Sequence, residues 1–198
     1  QMIANTKTVS FVNLKGGVGK TTSAIGTAEA LTRLGHTVTV RDADPSGAAT
    51  LWAHKAQSAG RPLPFSVEVV NRFTVAAPAE EEWVLIDTPP LQTDLVEAAV
   101  DAADLVLLVT TTGPLDLERM LETIRQINKP SSVLLTQTRY GTRSLRHAEE
   151  FLSENGLAHC RETIPYKEAM RLAPDEGRFP SASGYGLIAK ERSDAFNA

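Results

Sequence analysis

Lys15-Gly16-Gly17-Val18-Gly19-Lys20-Thr21-Thr22 is the stretch that decides how this chain is read. Before it, Val9–Asn13 is an apolar run of strand type; after it, residues 20–34 follow a helical pattern closed by Gly35. A strand, a glycine-rich loop and a helix in that order bring backbone N–H groups and a helix N-terminus to one point, which is an anion site. Gly19-Lys20-Thr21 fits the end of the phosphate-loop pattern of Gly, four residues, then Gly-Lys-Ser/Thr. Leu14 stands where the first glycine of that pattern belongs, and two glycines follow at 16 and 17. The loop predicts a bound ATP. Gly16, Gly17, Val18, Gly19 and Thr22 would cradle its phosphates, Lys20 would place its ammonium on the β- and γ-phosphates, and the Thr21 hydroxyl would ligate Mg²⁺. Lys15 is left over, because one nucleotide needs no second lysine from its own loop.

Outward from the loop, short apolar runs alternate with amphipathic segments. Val9–Asn13, Thr37–Asp42, Trp83–Asp87, Leu105–Thr110, Val133–Thr136 and His159–Ile164 read as strands, several of them nearly continuous Val/Leu/Ile as strands buried on both faces must be. Helical segments are expected near 20–34, 46–57, 91–100, 115–127, 143–155 and 185–197, with Gly156 closing the fifth and Asp116 near the start of the fourth. The alternation predicts an α/β fold: a single domain over 1–198, with a mostly parallel twisted sheet flanked by helices on both faces. Residues 58–82, with three prolines and the run Glu80-Glu81-Glu82, give no clear pattern.

The 198 residues suffice for one sizeable core, and the 42% hydrophobic and 22% charged fractions are those of an ordinary globular protein. No apolar run approaches the roughly 20 residues that span a bilayer. The lone Cys160 cannot form an internal disulfide or a cysteine cluster, so a reducing, cytoplasmic setting is expected, with metal only as an ion accompanying a nucleotide. A net charge of −4 gives no bulk attraction to nucleic acid, so DNA binding would need a local patch.

Two carboxylate motifs follow the loop. Asp42-Ala43-Asp44-Pro45 ends one expected strand, at the edge where open α/β sheets take ligands; the same residues also suit a plain Asp-Pro turn. Asp87 closes Val84-Leu85-Ile86, the arrangement that holds a carboxylate at the sheet edge to bind Mg²⁺ through water. A charge abutting such a run needs a partner, which the metal would supply. Thr88-Pro89-Pro90 then makes a stiff loop suited to sensing a γ-phosphate.

Together, the loop with its extra lysine, Asp42–Pro45 and Val84–Pro90 resemble the deviant Walker-A ATPases, the family of ParA and MinD. The resemblance implies hydrolysis of ATP to ADP and phosphate, with ATP and Mg²⁺ as cofactors. Lys15 would reach the nucleotide of a partner subunit in an ATP-sandwich homodimer. The residue matching Asp44 helps organise the attacking water in that family, and the one matching Asp42 lies near the Mg²⁺ shell. Ser46 departs from the glutamine the family often has after the proline. Leu105–Thr110 with Gly113-Pro114-Leu115-Asp116 looks like the family's strand and proline loop near the dimer interface. Ile164-Pro165 followed by Arg171-Leu172-Ala173 looks like its late strand end, where Pro165 would lie beside adenine.

The length is similar to that of small ParA-type plasmid partition ATPases. With no helix-turn-helix expected before Val9, DNA binding would be non-specific and tied to the ATP state, with nucleoid association. Arg143 and Arg171 match positions of DNA-contacting basic residues in ParA proteins, and Arg146, Lys167 and Arg178 lie in the same third of the chain. The same stretch, 139–178, holds seven Lys/Arg and seven Asp/Glu, so a merely solvated face fits it as well. The resemblance also implies a centromere-binding or adaptor protein that stimulates hydrolysis, and plasmid or chromosome partition as the task. Positioning of a protein cargo is an alternative. A MinD-like membrane contact is another, but Tyr185–Ala198 lacks the basic apolar face it needs, so no membrane partner is expected. A metabolic synthetase or kinase related to dethiobiotin synthetase is a third. Trp52, Trp83 and the four histidines, which share no ligand spacing, are expected in the core or on the surface.

Overall fold

Six strands, β1 (Lys7–Val12), β2 (Val38–Asp42), β3 (Ser66–Val69), β4 (Trp83–Asp87), β5 (Leu105–Thr110) and β6 (Ser131–Leu135), form one sheet in the order β3-β2-β4-β1-β5-β6. Every pairing is parallel. The computed structural model describes residues 6–90, 93–176, 179–180 and 183–197. Parallel strands need crossovers, which α1 (Lys20–Arg33), α2 (Ala48–Ser58), α3 (Asp94–Ala102) and α4 (Pro114–Ile124) supply, while β3 reaches β4 without a helix; α5 (Arg143–Glu154), α6 (Glu168–Glu176) and α7 (Tyr185–Asn197) follow the last strand.

Alternate residues of each strand feed opposite faces. Val9, Phe11, Leu85, Leu107 and Val109 pack against α1, α2, α6 and α7 through Ile25, Leu31, Trp52, Ala173 and Ile188. Val12, Val106 and Leu108 meet α3, α4 and α5 through Val96, Leu117, Met120 and Leu145, while Val84 and Ile86 meet Val75 and Ala99. This is the α/β class expected from the alternation of runs. Trp52 and Trp83 are both buried, Trp52 stacked on Phe179 and Trp83 edge-on to Phe196.

Three local expectations need correction. Residues 159–164 are not a strand: they pair with β6 and its extension through the isolated bridges Val133↔His159 and Thr138↔Pro165, with the Ile164 N–H donating to the Leu135 carbonyl at 2.9 Å between them. Five steps on one side face six on the other, so one residue is extra, and the Arg161 N–H turns aside to the Glu191 carboxylate. Secondly, β3 lies inside 58–82, where proline-rich flanks and an exposed four-residue edge left no alternation to read. Thirdly, Arg171-Leu172-Ala173 lies within helix α6, not at a strand end. The expected helix at 91–100 is α3 from Asp94 onward; Leu91 and Gln92 lie outside the described residues, as does Arg178.

β1 sits between β4, reached after the chain has run out to β3, and β5, from which it runs to β6. Connections diverge around the end of β1, and open parallel sheets bind ligands at such a point. Asp42 and Asp87 are register partners on β2 and β4, and Phe11 of β1 is the next partner of Asp87. The loop leaving β1 is thus flanked by two carboxylates on neighbouring strand ends.

Candidate nucleotide site

The loop opens onto a cavity of about 450 Å³ lined by Gly16, Gly17, Gly19, Lys20, Thr21, Thr22 and Asp44 on one side and by Pro165, Tyr166 and Lys167 on another. Gly17 and Gly19 take φ of 77° and 92°, left-handed values that disfavour a Cβ. Gly19 is also the N-cap of α1, with no side chain bonded to the cap and no acidic residue in the first turn. The partial positive end of α1 is therefore left for a ligand. α3 and α5, by contrast, are capped by the hydroxyls of Thr93 and Thr142. Val18 lines nothing in the cavity through its side chain, which is buried in the core.

Lys20 is buried, and its Nζ donates to the Lys15 carbonyl at 3.1 Å. Burial lowers its pKa, against the opposing pull of Asp87 and Asp44. Asp87 is fully buried. Its Oδ2 accepts the Thr21 hydroxyl at 2.6 Å, while its Oδ1 has no partner. Burial pushes its pKa up to about 7, against the Thr21 hydrogen bond and with help from the like charge of Asp42. An orphaned carboxylate oxygen beside a hydroxyl, at the foot of a phosphate loop, is the donor set a hard cation requires, so Thr21 and Asp87 fit Mg²⁺. Among the described residues, no cluster of three His/Cys/Asp/Glu offers a separate metal site.

The two members of the Asp42-Ala43-Asp44 motif are placed differently. Asp42 is buried and accepts from the Thr50 N–H at 2.9 Å, the Thr50 hydroxyl at 2.6 Å and the Asp44 N–H at 3.2 Å, so it tethers the start of α2 to β2. Asp44 reaches the cavity wall, one oxygen fixed by the Ser46 N–H at 2.9 Å. The Thr88 hydroxyl donates to the Phe11 carbonyl at 2.7 Å, and Pro90 borders the cavity next to Gly16.

Lys15 takes a separate course. It is absent from the cavity lining, and its Nζ forms a 2.7 Å ion pair with Asp116 Oδ1 in the first turn of α4, the lysine side chain staying 44% exposed. Asp116 Oδ2 accepts from the Thr111 hydroxyl. Burial would raise the Asp116 pKa, but the Lys15 and Thr111 hydrogen bonds outweigh it and hold the carboxyl below its usual range.

The basic residues divide. Lys167 and Arg171 line the nucleotide cavity. Arg143 begins α5 on the exposed surface, and Arg146 lies among Glu149, Glu150 and Glu154. Between β6 and α5, the Arg139 guanidinium stacks on Tyr166 at 5.2 Å and Tyr140 is fully solvent-facing. Thr136, Gln137, Tyr166, Met170 and Tyr185 also line the cavity. None of these five was marked by the sequence as a site residue, although Thr136 and Gln137 directly follow an apolar run that could end at the ligand edge.

Fold and site together define a phosphate-loop nucleotide-binding protein. Residues 9–180 match the CobQ/CobB/MinD/ParA nucleotide binding domain, and the chain belongs to that family of P-loop proteins. Over 183 residues, covering 86% of this chain and 82% of the relative, it is 36% identical to the maintenance of carboxysome distribution protein A of Gloeobacter kilaueensis. Its fold is similar to that of a Borrelia burgdorferi plasmid partition protein bound to AMPPNP (TM-score 0.75, 17% identity, 98% and 99% of the two chains covered). It is also similar to Mycobacterium smegmatis cobyrinic acid a,c-diamide synthase with an ATP analogue and magnesium (TM-score 0.70, 18% identity, 98% and 96% covered).

Proposed function

We propose that this chain is a Mg²⁺-dependent ATPase that closes into a sandwich homodimer around two ATP molecules. In that state it binds DNA non-specifically, and on hydrolysis it lets go, so that a cargo is distributed. The observation that carries this reading is the divergence of the two loop lysines: Lys20 faces the chain's own cavity, while Lys15 is held outside it by Asp116 and half in solvent. A lysine so placed is available to a nucleotide on a second copy.

In the reaction, water adds to the γ-phosphorus as the bond to the β–γ bridging oxygen breaks, and ADP leaves. Asp44, steadied by Ser46, orients that water and takes its proton; Lys20 and the loop N–H groups stabilise the charge collecting on the phosphate oxygens. Thr21 and Asp87 would hold Mg²⁺, which when bound neutralises phosphate charge; Asp42 acts by keeping the Asp44 turn in place.

The relative named for carboxysome distribution supports a protein assembly as cargo. The stimulating adaptor rests on the resemblance of the sequence motifs to ParA and MinD. Plasmid or chromosome partition is the other cargo reading, resting on the fold and on sequence similarity to relatives named for partition. For DNA, Arg143 with Arg139 and Tyr140 forms the exposed basic contact, and Lys167 and Arg171, facing the nucleotide, would make its strength depend on what is bound.

Fluorescence anisotropy of a random DNA duplex titrated with protein in ATP, ADP and no nucleotide tests this. Binding in ATP alone, weakening with salt and lost in Arg143→Ala, is expected. Equal binding in all three conditions contradicts the switch, because only differential affinity moves the equilibrium.

A further inference from the structure

Gln137 is the one non-glycine residue among those described that takes a left-handed backbone, at φ 54°. A Cβ disfavours this conformation, and such outliers persist where surrounding contacts demand them. Here the contact is evident. The conformation turns the exposed side chain back across the mouth of the cavity, where its Nε2 donates to the Gly17 carbonyl at 2.7 Å. The preceding residue does the same one peptide further on, the Thr136 hydroxyl donating to the Val18 carbonyl at 2.7 Å. Two consecutive peptide oxygens of the phosphate loop are therefore held from the end of β6.

The peptide unit is planar and trans, so its C=O and N–H point in opposite directions. Drawing the Gly17 oxygen toward Gln137 aims the Val18 N–H the other way, and drawing the Val18 oxygen toward Thr136 does the same for the Gly19 N–H. The glycines at 17 and 19, both at positive φ, leave these planes free to rotate unless something fixes them. We propose that Gln137 is a positioning residue for the phosphate loop: it locks the Gly17–Val18 peptide so that its N–H serves a phosphate oxygen. Thr136 locks the next. The loop is then organised before the anion arrives, and binding need not order it. This rests on the nucleotide reading of the cavity.

Gln137→Met keeps length and shape but has no donor. Its affinity for Mg-ATP and for Mg-tripolyphosphate, which has the phosphates without the base, is read by displacement of a fluorescent ATP analogue, alongside the melting temperature without ligand. The lock predicts that both affinities fall alike, by about fivefold for one neutral hydrogen bond, with the ligand-free melting temperature unchanged. Loss for ATP alone would make Gln137 a contact to the base and overturn the proposal, as would no loss for either ligand. If the unaltered protein binds neither ligand, the nucleotide reading falls and takes this proposal with it.

Discussion

Asp87 carries the sharpest conflict between stability and function at the scale of single residues. A carboxylate fully buried with one oxygen unpartnered is costly to ionise, and its pKa of about 7 measures that cost. A folded-state pKa above the unfolded value means that folding is favoured below the unfolded pKa and loses ground as pH rises toward 7. Asp87→Asn removes the penalty. Without nucleotide or Mg²⁺, its melting temperature should exceed that of the parent by at least about 2 °C at about pH 8, the gap narrowing toward about pH 5. ATP hydrolysis should fall at least about a hundredfold. Calorimetry across pH checks the first; a melting temperature no higher at pH 8 would show that the charge is accommodated in some other way. The phosphate loop itself was legible because its chemistry dictates residue identities within one contiguous run. Two other site features were not. Lys15 and Asp116 pair across 101 positions, and no local pattern announces such a contact. Gln137 owes its role to a backbone conformation that a glutamine side chain does not advertise.

The elements show the same division between what is local and what is assembled. β1, β4 and β5 could be read from sequence because strands buried on both faces must be apolar throughout, as Trp83–Asp87 and Leu105–Thr110 are. β3 is an exposed edge strand without that constraint, and residues 159–164, with only Cys160 and Ile164 apolar, carry one residue too many for the ladder. Helix α6 contains Pro174, which argues against a helix locally, and it is held by packing on α2 and by the Lys55–Asp175 ion pair. How closely α1 and α7 approach also depends on one atom. A Cβ at Gly26 would stand 2.3 Å from Tyr185 Cδ2 and 2.7 Å from Phe179 Cζ, and Tyr185 is buried with its hydroxyl on Ser23. Gly26→Ala should therefore destabilise the protein by about 1–3 kcal/mol despite the better helix propensity of alanine. Thermal unfolding checks this, and an unchanged midpoint would mean that α7 can retreat freely.

For the whole molecule, a second copy is decisive. The fold brings Lys20, Thr21 and Asp44 to one cavity, with Asp87 buried behind Thr21, and leaves Lys15 outside it, so the proposed site is completed only across a dimer. Mixing two inactive variants tests this directly. Lys15→Ala lacks the lysine and Asp44→Ala lacks the carboxylate, and each alone should hydrolyse ATP negligibly. If Lys15 acts on the partner's nucleotide, a mixed dimer contains one complete site, formed by Asp44 of the first variant and Lys15 of the second. Equimolar mixing should then restore about a quarter of the parental ATPase rate, since about half the dimers are mixed and each has one working site. If Lys15 acts on its own nucleotide, every site in the mixture lacks one residue or the other. The mixture staying as inactive as its components would contradict the account.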